Sequence, residues 1–489
     1  MINLNAKEPD RLSGRICIAL RRLHSAVMRC CITLLLWCFA LATLRAAETR
    51  PAEMLAQRQR SLVTITYVME NEMNRQEVTA VGVVIDEEGR VVTATGAVPG
   101  WLPVDRITEI KAFPVDDAGD GYEAHYLGQS PRSSLQFFQI DAPELREQLT
   151  PVTHWRVGEV GLGEEVWGIG VTQEDLDYLP YWLGARLSSD IYLPRPHGVA
   201  TDVVATPGSL VFNSTGEWVG WSLEGFPEEY DLQIEGRGYR AQLRPTDESN
   251  FFLLASSLLE ELQDVPTAPD ARPWTWMGVT GLQPLDKETS RFLGLEDQGA
   301  VIVSEVLDGQ PADQAGLQAR DIITGIDGEP IPYFRAEFAM VEYVNMAIDH
   351  RSPGDALPLD IIRGDEAREI TITLGEGPKM VRQAERTYFP KLGLTVREMV
   401  FDDAIARRVD WDDAQGAVVS FVRPNSNPDT AGLKPGDWII EVNGEEITDY
   451  EPAVAALEQV RDSDESGEYV LLVQRGNETS LIRVPRTAQ

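Results

Sequence analysis

A chain of 489 residues with a formal net charge of -35 is too long for one core and repels phosphate backbones and anionic lipid, which argues for three or so domains and against nucleic-acid binding. All four cysteines (Cys17, Cys30, Cys31, Cys38) lie in the first 47 residues, so the body of the chain has no disulfide, thiol nucleophile or cysteine metal site. Its histidines (His125, His154, His197, His350) lack ligand spacing, and neither cofactor nor metal is expected.

Residues 1–47 carry seven basic and two acidic side chains, which leaves a net charge near -40 on the remainder. Within them Cys30–Leu44 is an uncharged, mostly apolar run, preceded by Arg21, Arg22 and Arg29 and followed by Ala46-Ala47. That order of basic, apolar and small residues is the pattern of an export signal, and the run is shorter than the ~20 residues a membrane span needs. Met28-Arg29 would make an ordinary signal start, so translation from Met28 as well as from Met1 is open. Arg45 makes the cleavage site imperfect, which leaves a released protein and an uncleaved anchor both open.

From 52 to 262 the sequence reads as short strands separated by turns, a mainly β pattern that predicts an all-β double barrel. Strands are expected at Ser61–Glu70, Val78–Ile85, Val91–Thr95, Leu135–Ile140, Glu165–Val171, Leu210–Phe212 and Trp218–Ser222. Asn250–Leu262 is helical by pattern and would close the domain, and residues 263–273 form a proline-studded linker.

The rest contains an internal repeat with an offset of 116 or 117 residues. Gly299–Val306 matches Gly416–Val422, Pro311–Leu317 matches Pro428–Leu433, and Asp321–Ile331 matches Asp437–Ile447. Each copy predicts strand pairs, a short helix ending at Ala-Gly-Leu and a tight Asp-Gly or Asn-Gly turn. A longer helix (Phe334–Ile348 or Tyr450–Val460) and a closing strand (Leu357–Arg363 or Tyr469–Arg475) follow.

Gly432-Leu-Lys-Pro-Gly-Asp-Trp-Ile-Ile-Glu-Val-Asn-Gly444 is close to the most diagnostic stretch of the PDZ domain, and the repeat resembles a tandem pair, 274–378 and 388–489. Arg320 stands where that family usually has Gly, which puts the turn geometry of the first copy in doubt. Upstream, Thr201-Asp-Val-Val-Ala-Thr-Pro-Gly-Ser209-Leu-Val-Phe-Asn213 and Gly216–Gly220 resemble the nucleophile frame of a trypsin-like protease with about four residues missing or replaced. Export signal, trypsin-like domain and two PDZ copies in this order resemble the bacterial HtrA/Deg proteins across nearly the whole mature chain.

The resemblance implies a periplasmic or envelope protein of protein quality control that binds protein C-termini or unfolded polypeptides. It implies a homo-oligomer, a trimer by analogy, and an active HtrA paralogue as a further partner. Residue by residue, Gly96 falls at the position of the catalytic His, Ser134 at that of the Asp, and the nucleophile is deleted or falls on Pro207. Without a base a serine hydroxyl is a poor nucleophile, so these residues lead to the expectation that the chain is no enzyme. The alternatives are a serine endopeptidase relocated around Ser209, with His197 as its base, and a PDZ-independent chaperone. For peptide binding, the resemblance marks the glycine loops Met277-Gly278-Val279 and Leu392-Gly393-Leu394, whose N–H groups would hold a terminal carboxylate beside an extended, strand-like ligand.

Overall fold

Every isolated strand pair leaves two rows of unmatched N–H and C=O groups, and the first two hundred residues of the body resolve this by closing sheets on themselves. The computed structural model of the chain describes residues 51–117, 119–130, 135–223, 248–270, 273–295, 297–463, 467–476 and 478–486. The export signal expected in 1–47 and Ser134 lie outside them. Strands β1 (Leu62–Glu70), β2 (Arg75–Val84), β3 (Arg90–Thr93), β4 (Ile107–Pro114), β5 (Tyr122–Gln129) and β6 (Gln136–Ile140) form a closed barrel in the order β1-β2-β3-β6-β5-β4. A second barrel follows from β7 (Glu165–Val171), β8 (Pro180–Tyr192), β9 (Pro196–Ala200), β10 (Leu210–Asn213), β11 (Trp218–Ser222) and β12 (Phe251–Leu254), in the order β10-β11-β12-β9-β8-β7.

Period-two alternation explains why β1 is buried without a break from Leu62 to Tyr67. Val63, Ile65 and Tyr67 fill the first barrel with Val84, Phe138 and Ile140. Leu62, on the opposite face, joins Val81, Val83 and Val92 in a core shared with Leu210, Phe212, Trp218 and Trp221 of the second barrel. Asn250–Leu262 departs from the expected helix. Phe251–Leu254 pairs with β11 and β9 as the strand that completes the second barrel, and only Ala255–Glu261 is helical. A Phe-Phe-Leu-Leu run fits a buried strand as well as a helix turn, and closing the barrel decides it, with Phe252 wholly buried in the barrel interior.

The repeat folds twice into the same module. The first holds β13 (Thr275–Trp276), β14 (Val279–Pro284), β15 (Val301–Val306), β16 (Ile322–Ile326), β17 (Glu329–Pro330), β18 (Ala356–Arg363), β19 (Glu366–Thr373) and β20 (Gly375–Glu376). Its main sheet runs β14-β15-β16-β18-β19, and β13 pairs with β20. The second holds β21 (Arg386–Phe389), β22 (Leu394–Arg397), β23 (Ala417–Val422), β24 (Trp438–Val442), β25 (Glu445–Glu446), β26 (Glu468–Arg475) and β27 (Glu478–Pro485), with the order β21-β22-β23-β24-β26-β27. The expected short helices lie at Pro311–Gln314 and Asn427–Ala431, the longer ones at Phe338–Asp349 and Tyr450–Asp462. The first long helix starts four residues later than its pattern predicts because Phe334 is buried and stacks at 5.6 Å on Tyr192 of the second barrel.

Equivalent positions repeat the same chemistry. Asp327-Gly328 and Asn443-Gly444 both hold positive φ (57° and 77°, 51° and 85°), as a type I′ hairpin requires. Asp321 and Asp437 are buried, and each accepts two hydrogen bonds from one arginine, Arg363 at 2.7 and 2.6 Å and Arg475 at 2.7 and 2.6 Å. The backbone N–H of Gln318 or Lys434 completes each carboxylate.

Two measurable consequences follow from backbone and burial. Arg320 is exposed and keeps the turn at φ 73°, where its counterpart Gly436 has φ 91°, so the departure from Gly leaves the geometry intact at a conformational cost of about 1 kcal/mol. Arg320→Gly is therefore expected to stabilise the first module by about 1 kcal/mol, read as a higher denaturant midpoint of the full chain with local hydrogen exchange. In the second barrel His197 is buried and stacked on Phe251 at 4.8 Å, its Nδ1–H donates to the Arg195 carbonyl at 2.7 Å, and burial pushes its pKa down to about 4. The unfolded chain protonates this imidazole near pH 6.5 while the folded barrel refuses the proton, so its stabilisation is present above pH 6.5 and is lost as the pH falls to about 4. His197→Gln should remove that part of the acid sensitivity, on the order of 2 kcal/mol between pH 7 and pH 4. An unchanged pH dependence of the unfolding midpoint would contradict it.

Candidate functional site

The barrels meet at a cavity of about 230 Å³. The first barrel contributes Thr64 of β1, Ala80 of β2 and Gly96 in a short turn after β3, and the second contributes Gln173, Thr206 and Pro207. Gly96 and Pro207, two of the three positions that the resemblance assigns to a catalytic triad, thus share one cavity, and the third, Ser134, is outside the described residues. Thr64 Oγ1 is buried at the cavity wall with no hydrogen-bond partner.

The loop that carries Ser209 is fixed on both sides. Gly208 has φ 86°, and a Cβ there would stand 2.2 Å from the Val81 carbonyl oxygen, so only glycine lets the loop lie against β2. Its N–H donates to the Ser222 carbonyl at 2.8 Å, and Trp221 Nε1–H donates to the Gly208 carbonyl at 2.8 Å. Ser209 is completely buried and its hydroxyl has no hydrogen-bond partner. His197 spends its Nδ1–H on Arg195, so the structure does not bring Ser209 and His197 into a hydrogen-bonded dyad. His125 pairs with Asp141 at 2.9 Å on the exposed face of the first barrel.

In the first module Met277 and Gly278 are buried and Val279 is half-buried at the start of β14. Gly278 has φ 82°, and a Cβ there would meet Gln310 Cβ at 2.3 Å. Among the described residues the strand they lead into pairs with β15 along one edge only, and helix Phe338–Asp349 packs beside it. An edge strand next to a helix makes a groove in which an extended segment can complete the sheet.

The second module differs. Leu392 is half-buried, Gly393 (φ 78°) and Leu394 are buried, and a Cβ on Gly393 would stand 2.9 Å from Ser426 Cβ. The strand that follows, β22, has neighbours on both edges, with β23 on one side and β21 on the other. The Gly393 N–H already donates to the Phe389 carbonyl at 2.8 Å. Leu392-Gly393-Leu394 is expected from the sequence to bind peptide, and in the structure β21 lies along the edge of the strand that this loop leads into. Thr387 and Phe389 of β21 and Tyr450 on the helix wall are the residues that sequence reasoning passed over. The sequence signal for the first two is the run Thr387-Tyr388-Phe389 ahead of Pro390.

Residues 302–346 and 390–471 each match the PDZ domain family. A protein of Brucella suis biovar 1 (strain 1330) named "Probable periplasmic serine endoprotease DegP-like" is 27% identical over 410 residues, which span 80% of this chain and 70% of that protein. A protein of the same name from Chlamydia trachomatis serovar D is 23% identical over 417 residues, 82% of this chain and 73% of the relative. Among solved structures, "HtrA-type protease AlgW with tripeptide" superposes with a TM-score of 0.47 at 16% identity, over 68% of this chain and 99% of that one.

These relatives correct the expectation that the chain is no enzyme. They are named serine endoproteases, which points to protease activity. The expectation rested on Gly96, Ser134 and Pro207 taken together, and with Ser134 outside the described residues the loss of a triad is not demonstrated. Two closed six-stranded barrels are followed by two PDZ domains, and along four fifths of its length the chain is similar to DegP-like relatives.

Proposed function

We propose that this HtrA-type chain works in the periplasm on polypeptides, which it captures by their C-termini or unfolded segments through PDZ grooves. The relatives' names supply the compartment and the polypeptide substrate. The observation that carries the capture step is the open outer edge of β14. Among the described residues its N–H and C=O groups lack strand partners on that side, the Met277-Gly278-Val279 loop stands at its start, and helix Phe338–Asp349 forms the facing wall. An extended ligand gains main-chain hydrogen bonds along the edge, while its last side chain settles between apolar residues and its carboxylate meets the loop N–H groups. Leu392-Gly393-Leu394 offers the same chemistry in the second PDZ domain once its edge is cleared. The domain limits that go with this reading are 274–378 and 388–489, and assembly as a homo-oligomer follows the HtrA pattern.

The test is a titration of the full chain with a library of C-terminal peptides, each as free carboxylate and as amide. Binding that weakens at least tenfold on amidation, and again in Gly278→Val, is the expected result. Equal binding of acid and amide would overturn the reading, and that comparison needs no variant.

A second reading, endoproteolysis as in the named relatives, is favoured by the comparisons. Turnover of unfolded casein by the wild-type chain, lost in Ser209→Ala, would establish it at this serine. Turnover equal in both would place the activity elsewhere.

A further inference from the structure

The two modules bring their first strands to different places. In the first, β13 pairs with β20 and, among the described residues, β14 has no strand neighbour on one side. In the second, β21 turns back and lies antiparallel along β22, with Arg386 opposite Arg397, Thr387 opposite Val396, Tyr388 opposite Thr395 and Phe389 opposite Leu394. The connection explains the difference. Only Met277 and Gly278 separate β13 from β14, whereas Pro390, Lys391, Leu392 and Gly393 separate β21 from β22 and give the chain room to close a hairpin.

The hairpin places its residues where a bound peptide would put its own. Phe389 is fully buried in one core with Leu394 and Val396 of β22 and Ala453 and Leu457 of helix Tyr450–Asp462. Its carbonyl accepts the Gly393 N–H at 2.8 Å, in the loop that a terminal carboxylate would occupy. Two residues earlier, on the same face, the Thr387 hydroxyl and the Tyr450 hydroxyl are hydrogen-bonded at 2.7 Å, and Tyr450 is the first residue of the helix wall. Tyr388, between them, points to the other face, where Arg423 donates to its hydroxyl and Phe421 packs edge-on at 6.2 Å.

We propose that Arg386–Phe389 is a tethered ligand that holds the second PDZ groove shut, and that this groove takes polypeptides ending in a Thr-x-Phe type of sequence when they displace it. The inference rests on the reading of these grooves as peptide sites. A free terminus has one chemical advantage over the tether. Its carboxylate is charged, and a charge-assisted hydrogen bond to the loop is about twice as strong as that of the Phe389 amide carbonyl. The tether has the advantage of proximity, with an effective concentration of order millimolar for a short loop. The apparent Kd of any free ligand is raised by the reciprocal of the open fraction, so the second groove responds only to abundant or well-matched termini while the first is always available.

The experiment is hydrogen exchange on the full chain, read over residues 386–397, for wild type, Thr387→Val, Tyr450→Phe and Phe389→Ala. Loss of the single hydroxyl hydrogen bond in either of the first two should raise exchange across 386–397 about fivefold and leave 301–326 of the first PDZ domain unchanged. Added peptide Arg-Thr-Tyr-Phe with a free carboxylate should then restore protection at 394–397 while 386–389 keeps exchanging, the signature of displacement. Exchange that stays at the wild-type level in all three variants would overturn the tether. A freed 386–389 with no protection of 394–397 by the peptide would overturn the ligand class. Should Phe389→Ala unfold the domain, the two hydroxyl variants keep the test decisive. Failure of carboxylate-dependent binding at β14 would sink the capture reading and leave the exchange result standing, so the two failures are distinguishable.

Discussion

An unpaired strand edge is the constraint on which the rest of this structure depends. Most of the elements described between Leu62 and Pro485 are strands, and a short strand is stable only when its edge groups are matched. The barrels answer by closure, each of the six strands finding two neighbours. That closure dictates local detail that propensity would not choose. Phe251–Leu254 is drawn out of a helical pattern because β9 and β11 need a strand between them, and Gly208 is required because the loop before β10 must lie against the Val81 carbonyl. The PDZ domains are open sheets and cannot close, so the same demand falls on their first strands.

The two modules meet that demand from one shared frame. Asp321 with Arg363 and Asp437 with Arg475 make the same buried, fully satisfied pair, and each arginine also donates to the carbonyl of the glycine at the end of the short helix. A carboxylate buried to this degree is tolerable only because all its hydrogen bonds are made. With the interior fixed so closely, the copies diverge where the frame is least constrained, in the two or four residues between the first strand and the next. That small difference in loop length decides whether an edge faces solvent or is covered from within.

Much of this was legible in the residues. Alternating apolar positions, Asp-Gly and Asn-Gly turns and the repeat offset gave two barrels and two copies of one module, because each signal reports a local preference that the fold confirms. The sites were less legible. The pairing of Gly96 with Pro207 across one cavity follows from the packing of two separate barrels, and nothing local in the sequence carries it. Arg320 looked like a break in the turn, yet a flexible exposed side chain accepts the left-handed backbone at modest cost. The occupied groove was missed for a different reason. Tyr450 is far along the chain from Thr387 and Phe389, and the meaning of all three depends on which edge β21 chooses, a tertiary choice that no periodicity encodes.

The strand β22 shows how much one choice of edge can carry. Leu394 and Val396 face the core that Phe389 completes, while Thr395, on the alternate face, donates its hydroxyl to Glu72 at 2.8 Å, in the turn between β1 and β2 of the first barrel. Glu72 in turn lies 3.6 Å from Arg106, and Arg397 makes a bidentate pair with Asp403 at 2.6 and 2.7 Å. Glu72, Arg106, Arg397 and Asp403 border a cavity of about 740 Å³ between the barrel turn and the second PDZ domain. Period-two geometry therefore gives four consecutive residues two distinct tasks, one face set toward the groove and the other toward the barrel. Because β21 also supplies Arg386 to that cavity, whatever occupies the edge of β22 sits in one continuous arrangement with the docking of the domain on the barrel. The edge that the barrels abolish by closure is, in the second PDZ domain, the place where groove and barrel meet.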